Sequence, residues 1–469
     1  MTSWDLGELA RAAGARVTGG ALPLGVTAVG TDSRSLPPDG LFVALRGNRF
    51  DGHSYVEAAI RAGAVAILVD HEIDNVIAPV PQLVVKDTLR ALGDVALYIR
   101  TKQPGPVVGV TGSNGKTTTK ELIAAALRSG GPVHKTQGNL NNLIGVPLTI
   151  ASRPDKTWAA VIEMGMNARN EIDRLCEIAA PDVGVITTVG PAHLEGLGTI
   201  ENVARAKAEL FEKLPQSATA VVNADDPHIV AIAEPFVGSR RKVRFGRSSG
   251  VDIRIIGSAT DTQQGTTRAT FEIAGTSVHA LIPLVGAHNV SNAAAAIACA
   301  WALGVSANDA AQGLRDAQIP GSRARILRDV GPRKVSIIDD TYNANPQSMI
   351  ASFATLATLA PKSARRIAVV GDMFELGSAA SQLHHEVGEA AAQSGAAWVL
   401  ALGPNASATA EGARSQGARG DAFETIEALN AALDGDLKPG DWLAVKGSRG
   451  MNMERVVEHI KAEPSGGAH

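Results

Sequence analysis

The chain has 469 residues, 45% apolar and 19% charged, which excludes a disordered or fibrous protein and asks for more than one core. With 44 basic against 47 acidic residues, a net charge of −3 and no run of like charges, it lacks the basic stripe of a nucleic-acid binder. Cys176 and Cys299 are too few for a disulfide framework or a thiolate zinc site and read as small core residues; no stretch reaches the roughly 18 apolar residues of a membrane span, and the first ten residues lack a secretory signal's basic start and apolar core. The expectation is a cytoplasmic protein of roughly three domains, with nothing to suggest an obligate interface and a monomer as the default.

Residues 1–104 read as a small α/β unit. Leu6, Leu9, Ala10 and Ala13 recur at helical spacing, residues 41–45 and 64–69 are strand runs, and residues 55–62 form a helix between them. Two polar loops lie among these elements, one carrying Ser33 and Arg34 and one spanning residues 46–53. Such loops hold a ligand or simply turn the chain. Residues 101–106, with Pro104, Gly105 and Pro106, read as a linker.

The second unit, residues 105–317, opens on the most informative stretch. Val107, Val108 and Val110 form a β-branched run, residues 112–115 a tight polar turn, and the chain from Lys120 onward has the Ala/Leu-rich composition of a helix. Strand, turn and helix in that order leave N–H groups free at a helix N-terminus, where their partial positive charge favours a phosphate. Lys116 is placed to reach the outer phosphates and Thr117 to offer its hydroxyl to magnesium. The spacing departs from G-x-x-x-x-G-K-[ST], because Val110 stands where the first glycine belongs and the glycines here are Gly109, Gly112 and Gly115. A plain surface helix would favour better helix formers than Thr117, Thr118 and Thr119, which argues against a mere glycine turn beside a solvated lysine.

Strands and helices then alternate at residues 159–164, 183–189, 203–214 and 218–223, which predicts a mostly parallel sheet covered by helices. Residues 267–284 alternate apolar with polar and read as an antiparallel addition; residues 290–303 read as a buried helix. Glu163 ends a strand and would share a sheet edge with the phosphate turn, within reach of a metal. His193 follows another strand end, although magnesium prefers oxygen and a lone histidine is more often structural. Lys207 falls on a helix where periodicity does not distinguish it from Lys213. Asn289 and Asn292 open the buried helix and either read a purine edge or cap the helix.

Residues 318–322 mark the next break, and residues 318–469 form a third unit with strand candidates at 334–339, 366–371, 397–403 and 441–445. Alanine-rich helices separate them, so a Rossmann-like doubly wound sheet is expected, with ligands at the C-terminal strand ends. Residues 463–469 read as a frayed end. Asp339, Asp340, Tyr342, Asn343 and Asn345 follow one strand, a density of polar groups that packing does not require. Loops 371–377 and 446–449 also follow strands, so three polar loops converge on one edge, as in a ligand pocket.

Taken together, these residues resemble the Mur ligase family, the ATP-dependent amino-acid ligases of peptidoglycan assembly, over nearly the whole chain. Thr111-Gly-Ser-Asn-Gly-Lys-Thr-Thr resembles that family's phosphate loop, and residues 138–147, with Asn139, Asn141 and Asn142, resemble its substrate-facing segment. Asp340-Thr-Tyr-Asn-Ala-Asn-Pro, with Gly371-Asp-Met and Val445-Lys-Gly-Ser-Arg, is similar to the branch that adds D-alanyl-D-alanine to UDP-N-acetylmuramoyl-tripeptide.

The resemblance implies three α/β domains: residues 1–104 for the UDP-linked substrate, a mononucleotide-binding domain at 105–317 for ATP, and a C-terminal Rossmann-like domain at 318–469. It implies that Gly112, Ser113, Asn114, Gly115, Lys116, Thr117 and Thr118 hold ATP, and that Thr117, Glu163, His193 and a carbamylated Lys207 hold magnesium, as two ions. Asn289 and Asn292 would face adenine, Arg323 the phosphates, and Asp340 the ribose, with Tyr342 and Asn343 beside them. Ser33, Arg34 and the loop 47–53 would grip the UDP end, with Asn345 also toward substrate. A sister ligase adding one amino acid, a folylpolyglutamate-type ligase and a phosphate-loop ATPase without ligase chemistry are the alternatives.

Overall fold

Three sheets succeed one another along the computed structural model, which describes residues 3–21, 25–47 and 50–462. Residues 463–469, expected to fray, and Asn48 and Arg49 of the loop 46–53 lie outside the described residues. The first sheet has five strands in the order Arg16–Gly19, Pro81–Val84, Ala64–Val69, Gly40–Val43, Ala28–Gly30, antiparallel only at the Arg16–Gly19 edge. The central sheet has nine, parallel from Val133–Lys135 across to Ile253–Asp261 and finished by the antiparallel strands Thr266–Ile273 and Thr276–Ile282. In the third, six-stranded sheet the strands from Val335–Asp340 to Arg419–Phe423 are parallel and Arg325–Val330 is an antiparallel edge. The chain is thus a three-domain α/β protein.

Parallel strands are covered by helices on both faces. Accordingly Val107–Thr111, Ala159–Glu163, Val183–Ile186 and Thr219–Asn223 are buried at every residue and are mostly Val, Ile and Ala, with polar residues confined to their ends. Strand Val107–Thr111 lies between the next two, with Val110 opposite Glu163 and Thr111 opposite Ile186. This register brings residues 112–115, Glu163 and Thr187 to one sheet edge. Helix Lys116–Ala126 packs on helix Ala287–Ala302, where buried alanines on both sides let the two backbones come close.

The helix after the phosphate turn starts at Lys116 rather than Lys120. Thr117 and Thr119 are buried in it, so tertiary packing overrides their weak helix propensity. The expected linker is shorter than residues 101–106, because Thr101 and Lys102 end the long helix Thr88–Lys102 before Pro104 stops it. Asp87 caps that helix, accepting from the Arg90 N–H at 3.0 Å. Its apolar face, with Leu92, Val95 and Ile99, packs on helices Gly145–Ala151 and Glu171–Ala179 and joins the first sheet to the central core. Both cysteines are buried, and burial pushes the Cys176 thiol up to about 12. No helix among the described residues is long and apolar enough to cross a membrane.

Candidate active site

A cleft of about 880 Å³ opens between the C-terminal strand ends of the central and third sheets. Its floor is the phosphate loop, pinned to the neighbouring strand end. Ser113 Oγ donates to the Gly190 carbonyl at 3.1 Å, and Thr187 Oγ1 donates to the Asn114 carbonyl at 2.5 Å. Gly112 has φ +152°, and a Cβ there would lie 1.9 Å from Thr187 Oγ1; Gly115 has φ +78°, and a Cβ there would lie 2.7 Å from Asn292 Oδ1. Both positions therefore require glycine, whereas Val110, where the simpler motif has its first glycine, is a fully buried residue of strand Val107–Thr111. Lys116 Nζ folds across the loop and donates to the Gly112 carbonyl at 2.8 Å. Burial pushes its pKa down, Glu163 opposes that shift and Arg323 adds to it. Ser113 through Thr118 line the cleft, and Gly112 is buried beside them.

Glu163 faces the cleft from the adjacent strand. Asn141 Nδ2 donates to its Oε1 at 2.8 Å, while its Oε2 is buried and accepts no hydrogen bond. Lys120 Nζ lies 3.8 Å from that second oxygen and donates to the Thr136 carbonyl at 2.7 Å. Asn139 and Asn142 line the same wall; Asn142 Oδ1 accepts from the Ile144 and Gly145 N–H groups at 3.1 and 2.9 Å, starting helix Gly145–Ala151. Lys207 does not line the cleft; it is 1% exposed on helix Ile200–Lys213. Burial, reinforced by the positive charge of Lys116, holds its amine well below the usual lysine range. His193, at φ +57°, reaches the cleft with Nδ1 2.5 Å from Glu375 Oε2 of the third domain.

The third domain supplies the opposite wall. The Arg323 guanidinium lies 3.7 Å over the Tyr342 ring. Asp340 is gripped on both oxygens, by the Ala324 N–H at 3.1 Å and by Lys446 Nζ at 2.7 Å. Lys446 also donates to the Asn343 carbonyl at 2.8 Å, and the Arg449 N–H donates to Asn343 Oδ1 at 3.3 Å. Asn289 and Asn292 line the cleft from the central domain, but Asn289 Nδ2 donates to Val285 O at 2.8 Å and Asn292 Nδ2 to Asn289 Oδ1 at 3.1 Å. Asn345 caps helix Pro346–Leu359.

Ser33 and Arg34 are not brought to this cleft. Ser33 is buried in the first domain, and Arg34 Nη2 pairs with Asp32 at 2.7 Å. Lys446 and Glu375 come from the loops 446–449 and 371–377 singled out by their place after strands. Gln347, which also lines the cleft, had no sequence signal, because a lone glutamine early in a helix looks like any exposed polar residue.

Residues 25–100, 110–300 and 322–449 match, in turn, the Mur ligase family catalytic domain, the Mur ligase middle domain and the Mur ligase glutamate ligase domain. The UDP-N-acetylmuramoyl-tripeptide–D-alanyl-D-alanine ligase of Bacillus subtilis (strain 168) is 37% identical over 439 residues, 93% of each chain. The chain belongs to the Mur ligase family. The fold of this Mur ligase matches a crystal structure of MurF from Acinetobacter baumannii with a TM-score of 0.89 and 32% identity, covering 98% of this chain and 99% of that one. A MurF ligase from Thermotoga maritima, solved in complex with ADP, matches with a TM-score of 0.80 and 30% identity over 93% and 97% of the two chains.

Proposed function

We propose that this Mur ligase joins D-alanyl-D-alanine to UDP-N-acetylmuramoyl-tripeptide, converting ATP to ADP and phosphate, as a cytoplasmic monomer in cell-wall precursor synthesis. The observation that carries the reading is the single cleft in which the phosphate loop of one sheet faces the Asp340 loop of another. The names of the full-length relatives support it over a sister ligase, a folylpolyglutamate-type ligase or a plain ATPase.

In this reading an oxygen of the tripeptide's terminal carboxylate attacks the γ-phosphorus and ADP leaves, giving an acyl phosphate. The amine of the dipeptide then attacks the acyl carbon, loses a proton, and phosphate departs as the amide forms. Carboxylate and triphosphate repel each other, so the site must neutralise charge and align the atoms; Lys116, Arg323 and the loop N–H groups do this. The facing walls exclude water that would otherwise hydrolyse the acyl phosphate. Ser33, Arg34 and the loop 47–53 are assigned to the UDP end.

The residues present fit magnesium. Glu163 Oε2 is a buried carboxylate oxygen without a hydrogen-bond donor, the kind of hard ligand that cation prefers. Thr117, Glu163 and His193 would hold it, and when bound it supplies positive charge to the phosphates. Lys207 fits carbamylation, because its suppressed protonation leaves an amine lone pair free to attack carbon dioxide, and the resulting anion would lie near Lys116.

The test is phosphate release from ATP with the UDP-linked tripeptide while the amine is varied. Strong stimulation by D-alanyl-D-alanine is expected. Equal stimulation by alanine alone would overturn the specificity, and release indifferent to any amine would leave an ATPase.

A further inference from the structure

Asn114 belongs to the phosphate loop, yet its carboxamide is held from the third domain on both polar atoms. Its Oδ1 accepts from Asn345 Nδ2 at 2.8 Å, and its Nδ2 donates to Gln347 Oε1 at 3.0 Å. Gln347 Nε2 in turn donates to the Val189 carbonyl at 3.3 Å. Val189 and Gly190 belong to the segment that clasps the loop, since Ser113 Oγ also accepts from the Gly190 N–H at 3.0 Å. Gln347 therefore touches both halves of the clasp at once. The contact is tight: a Cβ on Gly190 would lie 2.1 Å from Gln347 Oε1, so the bare glycine is what lets the glutamine in.

The orientation of Asn345 is fixed before the two domains meet. Its Oδ1 accepts from the Ser348 N–H at 2.9 Å as the cap of helix Pro346–Leu359, which turns its Nδ2 outward. Gln347 lies two residues further along the same helix. Both groups reach Asn114 correctly only when the turn at 112–115 has the shape set by Ser113, Thr187 and Thr188. A displaced turn would leave three polar groups facing each other unpaired, which disfavours docking.

We propose that Gln347 is a positioning residue that couples the shape of the phosphate loop to the docking of the third domain, with Asn114 as the group it reads. This rests on the ligase reading above and goes beyond it, because it assigns Gln347 a role in docking the third domain that the ligase reading does not. The clamp keeps the third domain seated while the acyl phosphate awaits the amine. Losing it lets water compete.

Gln347→Ala should lower the dipeptide-dependent turnover number on the order of tenfold, the effect of two lost neutral hydrogen bonds, with a much smaller change in the KM for ATP. The share of phosphate released without amide formation should rise, and ADP affinity and thermal stability should stay near those of the parent chain. Gly190→Ala should have a similar effect by evicting the glutamine. In the double variant Gly190→Ala/Gln347→Ala the added methyl has room, so the loss should be no larger than that of Gln347→Ala alone. Losses that multiply, or a Gln347→Ala protein with unchanged turnover and coupling, would overturn the proposal. Small-angle scattering with ADP and magnesium separates this outcome from failure of the ligase reading: Gln347→Ala should be more expanded than the parent chain whatever amine is used, and identical curves would count against the clamp.

Discussion

Lys446 Nζ lies 2.7 Å from Asp340 Oδ2, and the two side chains are only 4% and 16% exposed. The ammonium also holds the Asn343 carbonyl at 2.8 Å, so one buried cation fixes the polar turn after strand Val335–Asp340. Lys446→Met would leave Asp340 without its counter-charge. Removing one member of a buried pair costs about 3–5 kcal/mol, so calorimetry should find the third domain several degrees less stable. A shift of under one degree would show that water readily replaces the lysine.

Gly115→Ala tests the phosphate loop directly. The backbone at φ +78° disfavours a side chain by about 1 kcal/mol or more, and the new methyl would press on Asn292 Oδ1. The fold should survive, because the strain is confined to one turn. ADP affinity, measured by titration calorimetry, should fall on the order of tenfold as the N–H groups swing out of line. Unchanged affinity would place the nucleotide elsewhere.

If Lys207 carries the proposed carbamate, Lys207→Ala should reduce turnover by on the order of a hundredfold, because an anion that orients a metal would be lost. Formate or acetate should restore part of the activity by occupying the space of the missing carboxylate. Full activity in the variant would refute the carbamate.

His134 predicts a pH dependence. Burial pushes its pKa below the ordinary 6.5, against the opposing effect of its hydrogen bond to the Thr149 carbonyl. The folded chain then binds fewer protons here than the unfolded one. Its contribution to stability is present above about pH 6.5 and is lost as the pH falls through the depressed folded value. His134→Gln should flatten the acid side of a melting-temperature profile, and an unchanged slope would assign it to other groups.

The phosphate loop and the polar run at 339–346 were legible because each interrupts an apolar strand with groups that packing does not need. The edge strands Arg325–Val330 and Arg419–Phe423 were not legible. Edge positions are half solvated, and charged residues such as Arg328, Asp329 and Asp421 break the apolar run that marks a central strand. Asn345 shows a different limit. Asn-Pro is a visible helix start, but its second bond, to a residue 231 positions earlier, depends on how two sheets face each other. The same holds for Glu375 beside His193, since local patterning carries no information about which loops meet.

Asn345 enters its contact with Asn114 with its side chain already immobilised by Ser348. Little rotamer freedom remains to be lost when the two surfaces join, so the entropic penalty of assembly falls mainly on Gln347. Swapping Asn345 for a longer amide would shift that balance and make the union more sensitive to heat, even with the same number of bonds formed.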